Sequence, residues 1–253
     1  MGEHRILFQR LLIGCCFALA IGWSVHALPA RAETHAAARP AQSDEIRQIY
    51  LSDCATCHGA DARGTDLGPD LHGSGAALVY YYVSTGRMPL SSPDAEVRRH
   101  PPKYPPAIQR QLINYTVDLA GGDGPPIPHI DLQAGNLAEG GTQYRLNCAA
   151  CHAWSGDGGA LLHREAPPVH PATPRQVGAA VRGGPGNMPR FGNAALTNEQ
   201  LNSLVRYVRY LDDPQDRGGW SLWHIGPLVE GAVAVFIGLG ALVLVVRWIG
   251  TRT

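Results

Sequence analysis

The pentapeptide Cys54-Ala-Thr-Cys57-His58 returns 94 residues later as Cys148-Ala-Ala-Cys151-His152. Two cysteines three positions apart lie on one helical turn, and the histidine follows directly. Of the 6 cysteines in the chain, Cys15 and Cys16 sit in an apolar N-terminal run and the other four make up these motifs. No cysteine is left in the polar body for a separate structural disulfide. Cys-x-x-Cys-His is the attachment signature of c-type haem. The two thiols reach two vinyl groups on one porphyrin edge and form thioethers, and the histidine falls under the ring where it can bind iron. A zinc ribbon also uses paired cysteines, but its pairs stand about 15–20 residues apart. A redox dithiol needs no histidine after it, and both copies here have one.

The repeat extends beyond the motif. Between residues 43 and 213 the chain is polar, broken once by "GGDGPPIPHI" (121–130), whose glycines and prolines mark a linker. Each half opens on a short helical pattern with a tyrosine four residues before the first cysteine, Tyr50 and Tyr144. The motif comes next, then a glycine- and proline-rich loop, then "STGRMP" or "GPGNMP", then a closing helical pattern. In the second half Leu201, Leu204, Val205, Val208 and Leu211 recur at helical spacing behind Thr197 and Glu199-Gln200, an N-terminal cap with its polar first turn. The expected architecture is mostly α-helical: one domain over 43–122, a linker over 123–136 and a second domain over 137–213. Each half has about eighty residues, small for a hydrophobic core alone. A haem in the middle of each would supply the missing interior.

A sixth iron ligand can be read as well. Of the 3 methionines, one is the initiator. The others, Met88 and Met188, fall at matching points 30 residues after His58 and 36 after His152, each followed by proline. Core packing is the ordinary use of methionine, but equivalent placement in both copies points to axial ligation. Histidine–methionine ligation closes both axial positions and suits electron transfer rather than oxygen or peroxide binding. The ligating histidine needs its second ring nitrogen fixed by an acceptor. "GPDL" (68–71) and "APPV" (166–169) are where the chain is expected to turn past His58 and His152. The placement of His72, His100, His129, His163 and His170 does not repeat, and these are read as surface or loop residues.

Both ends are apolar. Arg5 and Arg10, an apolar run from Leu11 to Leu28 and Ala30-Arg31-Ala32 make residues 1–32 a signal peptide or an N-terminal membrane anchor. A lipoprotein-like site at Leu12-Ile13-Gly14-Cys15 has too short an apolar stretch before it. At the other end, residues 225–249 would extend ~35 Å as a helix, enough for a hydrocarbon core of ~30 Å. This segment is expected to cross a membrane. Arg247 and Arg252 place its end in the cytoplasm and the body outside, with Trp220, Trp223 and His224 at the outer headgroups. Glu230, near that outer end, is expected to make a helix-packing or interfacial contact with a partner subunit. Formal net charge is +0, so nothing in the balance of charge points to nucleic acid.

Over nearly all of 43–213 the halves resemble class I cytochrome c domains. "VYYYVSTGRMP", "YRLNCAACH", "GGALL", "GNMPRF" and "GPLVEG" before an apolar helix ending "WIGTRT" are similar to the dihaem cytochrome c subunit of the actinobacterial menaquinol–cytochrome c reductase, the cytochrome bcc complex. The resemblance implies two covalently bound haems c, with Cys54, Cys57, Cys148 and Cys151 as thioether cysteines and His58, Met88, His152 and Met188 as axial ligands. It implies cytochrome b and Rieske iron–sulfur subunits as partners and an aa3-type cytochrome c oxidase as acceptor, at times in one supercomplex. No acid–base catalytic residue is expected, since quinol oxidation would belong to cytochrome b. Two other readings share the haem count. A cbb3-type oxidase subunit is normally anchored through an N-terminal helix, and a dihaem peroxidase requires one iron with an open position.

Overall fold

A computed structural model describes residues 35–161, 164–215 and 227–251. The expected signal or anchor segment 1–32, His163 and the headgroup residues Trp220, Trp223 and His224 lie outside the described residues. The chain divides into two compact units, 1–45 and 46–253.

The described chain is mostly helical, and one order of helices occurs twice. In the first half these are α1 (His35–Asp53), the single turn α2 (Ala55–His58), α3 (Gly75–Ser84) and α4 (Pro106–Leu119). In the second they are α5 (Leu137–Asn147), the single turn α6 (Ala149–His152), α7 (Pro174–Gly183) and α8 (Asn198–Tyr210). A short antiparallel hairpin, β1 (Gly159–Leu161) with β2 (Arg164–Ala166), interrupts the second half between α6 and α7.

Local chemistry explains where the helices begin. The Thr197 side chain accepts the Gln200 N–H while the Gln200 side chain reaches back to the Thr197 N–H, a reciprocal capping box. Thr173 and Gln176 do the same for α7, with Pro174 just inside the helix. Asn136 caps α5 by accepting the Glu139 N–H at 3.0 Å.

Each half has its own apolar centre. In the first, Ile46 and Tyr50 from α1 meet Ala62, Leu112 and Ala120. In the second, Tyr144 from α5 meets Val177 and Val181 from α7 and Leu201, Leu204, Val205 and Val208 from α8. These α8 positions are the ones whose helical spacing is visible in the sequence. Helix α5 crosses α8 closely because Gly140 has no side chain: a Cβ there would overlap the Ser203 carbonyl. At the neighbouring Gly141 a Cβ would meet movable atoms, the Tyr207 ring at 2.9 Å and the Arg145 guanidinium at 3.0 Å.

The halves also pack on each other, and through equivalent elements. Helix α3, which leads into Met88, lies on α7, which leads into Met188. Ala77 and Tyr81 of α3 and Ala179 and Ala180 of α7 form one buried cluster, with Tyr80, Tyr82 and Met188 against it. Small residues let the two helices approach: Gly183 passes 3.1 Å, measured from an added Cβ, from the Leu78 backbone. The buried Gln176 amide donates to the Ser84 carbonyl at 3.0 Å and the Ser84 hydroxyl at 3.2 Å. Arg99 donates to the Gln176 side-chain oxygen at 2.9 Å, and the Arg175 guanidinium lies over the Tyr80 ring at 5.1 Å.

At the C-terminus, α9 (Pro227–Val233), a π-helical stretch Ala234–Leu239 and α10 (Gly240–Gly250) follow one another. Leu228–Gly250 is long and apolar enough to cross a membrane, and none of its residues is buried. An unburied apolar helix of this length is what a lipid-facing segment requires.

Candidate haem-attachment sites

Cys54 stands at the N-cap of the single-turn helix α2, and Cys57 lies one turn further on. The Cys57 and His58 N–H groups both donate to the Cys54 carbonyl, at 3.2 and 2.9 Å. The second copy repeats this, with Cys151 and His152 donating to the Cys148 carbonyl at 3.0 and 2.9 Å. In each copy, then, one turn places both sulfurs and the imidazole side by side. All four thiols are free.

The histidines are fixed identically. His58 Nδ1 is 2.8 Å from the Pro69 carbonyl, and His152 Nδ1 is 2.8 Å from the Pro167 carbonyl. A carbonyl can only accept, so Nδ1 carries the proton and Nε2 presents its lone pair. These carbonyls lie within the "GPDL" and "APPV" turns. The turn is tight in the first copy, where a Cβ on Gly68 would fall 2.9 Å from the Cys57 carbonyl.

The two tyrosines before the motifs brace the same point of the chain. Tyr50 donates to the Gly59 carbonyl and Tyr144 to the Ala153 carbonyl, each at 2.9 Å. Both rings are buried, and burial pushes the Tyr50 hydroxyl up to about 12 and raises that of Tyr144 as well. They therefore act as neutral donors. The residue after each histidine has positive φ, 79° at Gly59 and 63° at Ala153. Ala153, at φ 63° and ψ 165°, occupies a region that is essentially glycine's alone. Ala153→Gly should therefore stabilise the second half by about 1 kcal/mol, read as a raised denaturant midpoint. An unchanged or lowered midpoint would show that the bend carries no strain.

Electrostatics argue against a thiol–disulfide function. Burial, reinforced by Asp53, pushes the Cys54 thiol up to about 12. Burial, with Cys151 next to it, pushes Cys148 up to about 11. A reactive dithiol needs its leading thiol lowered, not raised. Among the described residues, no group of three or more histidine, cysteine, aspartate or glutamate side chains converges as a metal site.

The methionines follow α3 and α7. The Met88 N–H donates to the Tyr82 carbonyl at 3.2 Å, and the Met188 N–H to the Pro185 carbonyl at 3.0 Å. Cys148 and Met188 pack against the same second-half core, so that half brings its first cysteine and its methionine to one centre. Free thiols on one turn, an imidazole oriented through Nδ1 and a thioether on the same core fit a covalently held haem. The other histidines lie elsewhere: His72 pairs with Asp70, and His170 sits between Asp157 and Asp212.

The relatives agree with this chemistry. The family described as cytochrome c oxidase, cbb3-type, subunit III matches residues 135–208. A cytochrome bc1 complex cytochrome c subunit from Corynebacterium diphtheriae is 32% identical over 262 residues, covering 93% of this chain and 92% of that protein. The chain belongs to this family. The cytochrome bc1 complex cytochrome c subunit of Mycobacterium tuberculosis is 37% identical over 216 residues, covering 82% of this chain and 77% of that one. A more distant relative, a cbb3-type cytochrome c oxidase subunit CcoP from Azospirillum sp., is 27% identical over 65% of this chain and 60% of its own. As a cytochrome bc1 complex cytochrome c subunit, the chain is a c-type cytochrome with an electron-transfer role.

The sequence did not show the contact of α3 with α7, the Thr173–Gln176 cap or the hairpin at β1–β2. The Thr173 cap had a visible signal, Thr-Pro with glutamine three residues after the threonine. The helix contact had only a weak one, the run of small residues at Gly178-Ala179-Ala180 and Gly183.

Proposed function

We propose that the chain is the dihaem electron-transfer subunit of a membrane quinol–cytochrome c reductase, carrying electrons from a Rieske iron–sulfur centre toward a terminal aa3-type cytochrome c oxidase. The observation that carries the reading is the duplicated site: two Cys-x-x-Cys-His turns with identical 2.8 Å histidine–proline hydrogen bonds. Haem, when bound, supplies a one-electron couple. Cys54 and Cys57 would hold one group and Cys148 and Cys151 the other, with His58 and Met88, and His152 and Met188, as axial ligands. The Pro69 and Pro167 carbonyls raise the basicity of the imidazoles and lock their orientation. The Met88 and Met188 thioethers, as ligands, would favour the reduced state and leave no position for exogenous ligands. No residue moves a proton in this scheme, so the chain is a translocase subunit without catalysis of its own.

In this reading cytochrome b and the Rieske protein are the partners, and an oxidase joins them, in some assemblies as a supercomplex. The C-terminal helix anchors the chain in the cytoplasmic membrane. Arg247 at its end favours a cytoplasmic C-terminus, so the haem domains stand on the outer face. Tethering keeps donor and acceptor at high effective concentration and removes the need for a diffusing carrier. The match of residues 135–208 to the cbb3-type subunit III family supports a second reading, a subunit of that oxidase. A pull-down from mildly solubilised membranes separates the two. Bands of a-type haem beside b- and c-type bands in the reduced-minus-oxidised spectrum support the reductase–oxidase assembly. High-spin b-type haem with c-type haem and no a-type band would favour the cbb3-type oxidase.

A further inference from the structure

Two arginines are about nine-tenths or more buried among the described residues, Arg87 and Arg182, and they differ in one respect. Arg182 is satisfied by the chain: it donates to the Phe191 and Leu196 carbonyls at 2.9 and 2.7 Å and to the Asn198 side chain at 2.8 Å. Arg87 has its guanidinium over the Tyr81 ring at 4.9 Å, which engages the face of the group. Its Nη1 is buried without a hydrogen-bond partner. A buried charged donor left unsatisfied is strongly unfavourable, so Nη1 calls for an acceptor that the described chain does not supply.

The surroundings specify an anion. Arg99 is close enough that burial first, and the positive charge of Arg87 next, hold its guanidinium below the ordinary range. Neither arginine has a carboxylate partner among the described residues. Two adjacent cations with no acid between them call for a ligand carrying negative charge. Position narrows the choice, because Arg87 directly precedes Met88. The anion that comes with a haem ligated there is the porphyrin's own edge carboxylate.

We propose that Arg87, supported by Arg99, binds a propionate carboxylate of the first-half haem at the junction of α3 and α7. The proposal rests on the reading of Cys54, Cys57, His58 and Met88 as a haem site. Arg99 also donates to Gln176 of α7 at 2.9 Å, and Gln176 holds Ser84 of α3. The carboxylate is therefore tied through one polar chain to the contact between the halves. A cation at this edge disfavours the ferric state and raises the potential of the first haem.

The test is a redox titration of detergent-purified holoprotein, with resonance Raman spectra of the propionate-bending mode, for wild type, Arg87→Gln, Arg87→Lys and Arg98→Gln. Haem is counted first: two covalent haems per chain leave the haem reading standing, whatever follows. Arg87→Gln is expected to lower one midpoint and shift the propionate band. Arg87→Lys should keep most of the wild-type potential. Arg98→Gln removes an equal but exposed charge paired with Glu96 and should move neither quantity. If Arg87→Gln does not accumulate, Arg99→Gln is read in the same way, with a smaller fall expected. An unmoved midpoint and band, or an equal shift in Arg98→Gln, overturns the proposal. A wild-type midpoint that follows added phosphate, with an unchanged propionate band in Arg87→Gln, also overturns it and assigns the pair to a free anion.

Discussion

Gly140→Ala is expected to destabilise the second half by about 3 kcal/mol or more, at the top of the range for overpacking. The added methyl would overlap the Ser203 carbonyl on α8, and a backbone oxygen inside a helix cannot swing aside. Helices α5 and α8 must separate, which opens the core around Tyr144, Leu201, Leu204 and Val205. Gly141→Ala is the control. Its methyl meets the Tyr207 ring and the Arg145 side chain, at 2.9 and 3.0 Å, and both can shift. Alanine also gains about 1 kcal/mol over glycine in helix propensity, so this neighbour should be close to neutral. Denaturant unfolding of the two holoproteins, followed by the haem absorbance, checks the pair. Equal midpoints would show that the crossing is looser than the backbone contact implies.

The second large effect is on cofactor content. With Cys148 and Cys151 both changed to serine, covalent haem should fall from two per chain to one, measured as pyridine haemochrome against protein concentration. Burial pushes the leading Cys148 thiol up to about 11, the opposite of what a redox thiol needs. Met188→Ala should act differently: haem stays at two per chain, but the reduced spectrum now shifts on adding carbon monoxide, because an axial position has opened. Carbon monoxide binding in the unaltered protein would instead favour the peroxidase reading.

How far the sequence revealed the fold depended on the range of each interaction. The Cys-x-x-Cys-His turns, the repeated position of Tyr50 and Tyr144, the Thr197 cap and the periodic face of α8 are set within a few residues and could be read directly. The bracing role of the tyrosines could not. The proline carbonyls that orient His58 and His152 lie 11 and 15 residues away, still within one loop, and the "GPDL" and "APPV" turns marked them. Gln176, by contrast, meets Ser84 across 92 residues. No period or spacing encodes such a contact, and its small residues look like ordinary helix composition. Arg87 was hidden for another reason. Within "STGRMP" it reads as a polar loop residue, and only its burial shows that Nη1 is left without an acceptor.

The contact between α3 and α7 sets how far the repeat can be extended. Each half offers the other the helix that leads into its methionine. A head-to-tail junction leaves one used and one unused face on each copy, and further copies can be added without limit. A face that pairs with its own counterpart is used up once two copies have met. A third module of this kind would find neither helix free, so these two sites are closed on each other rather than left open at one end.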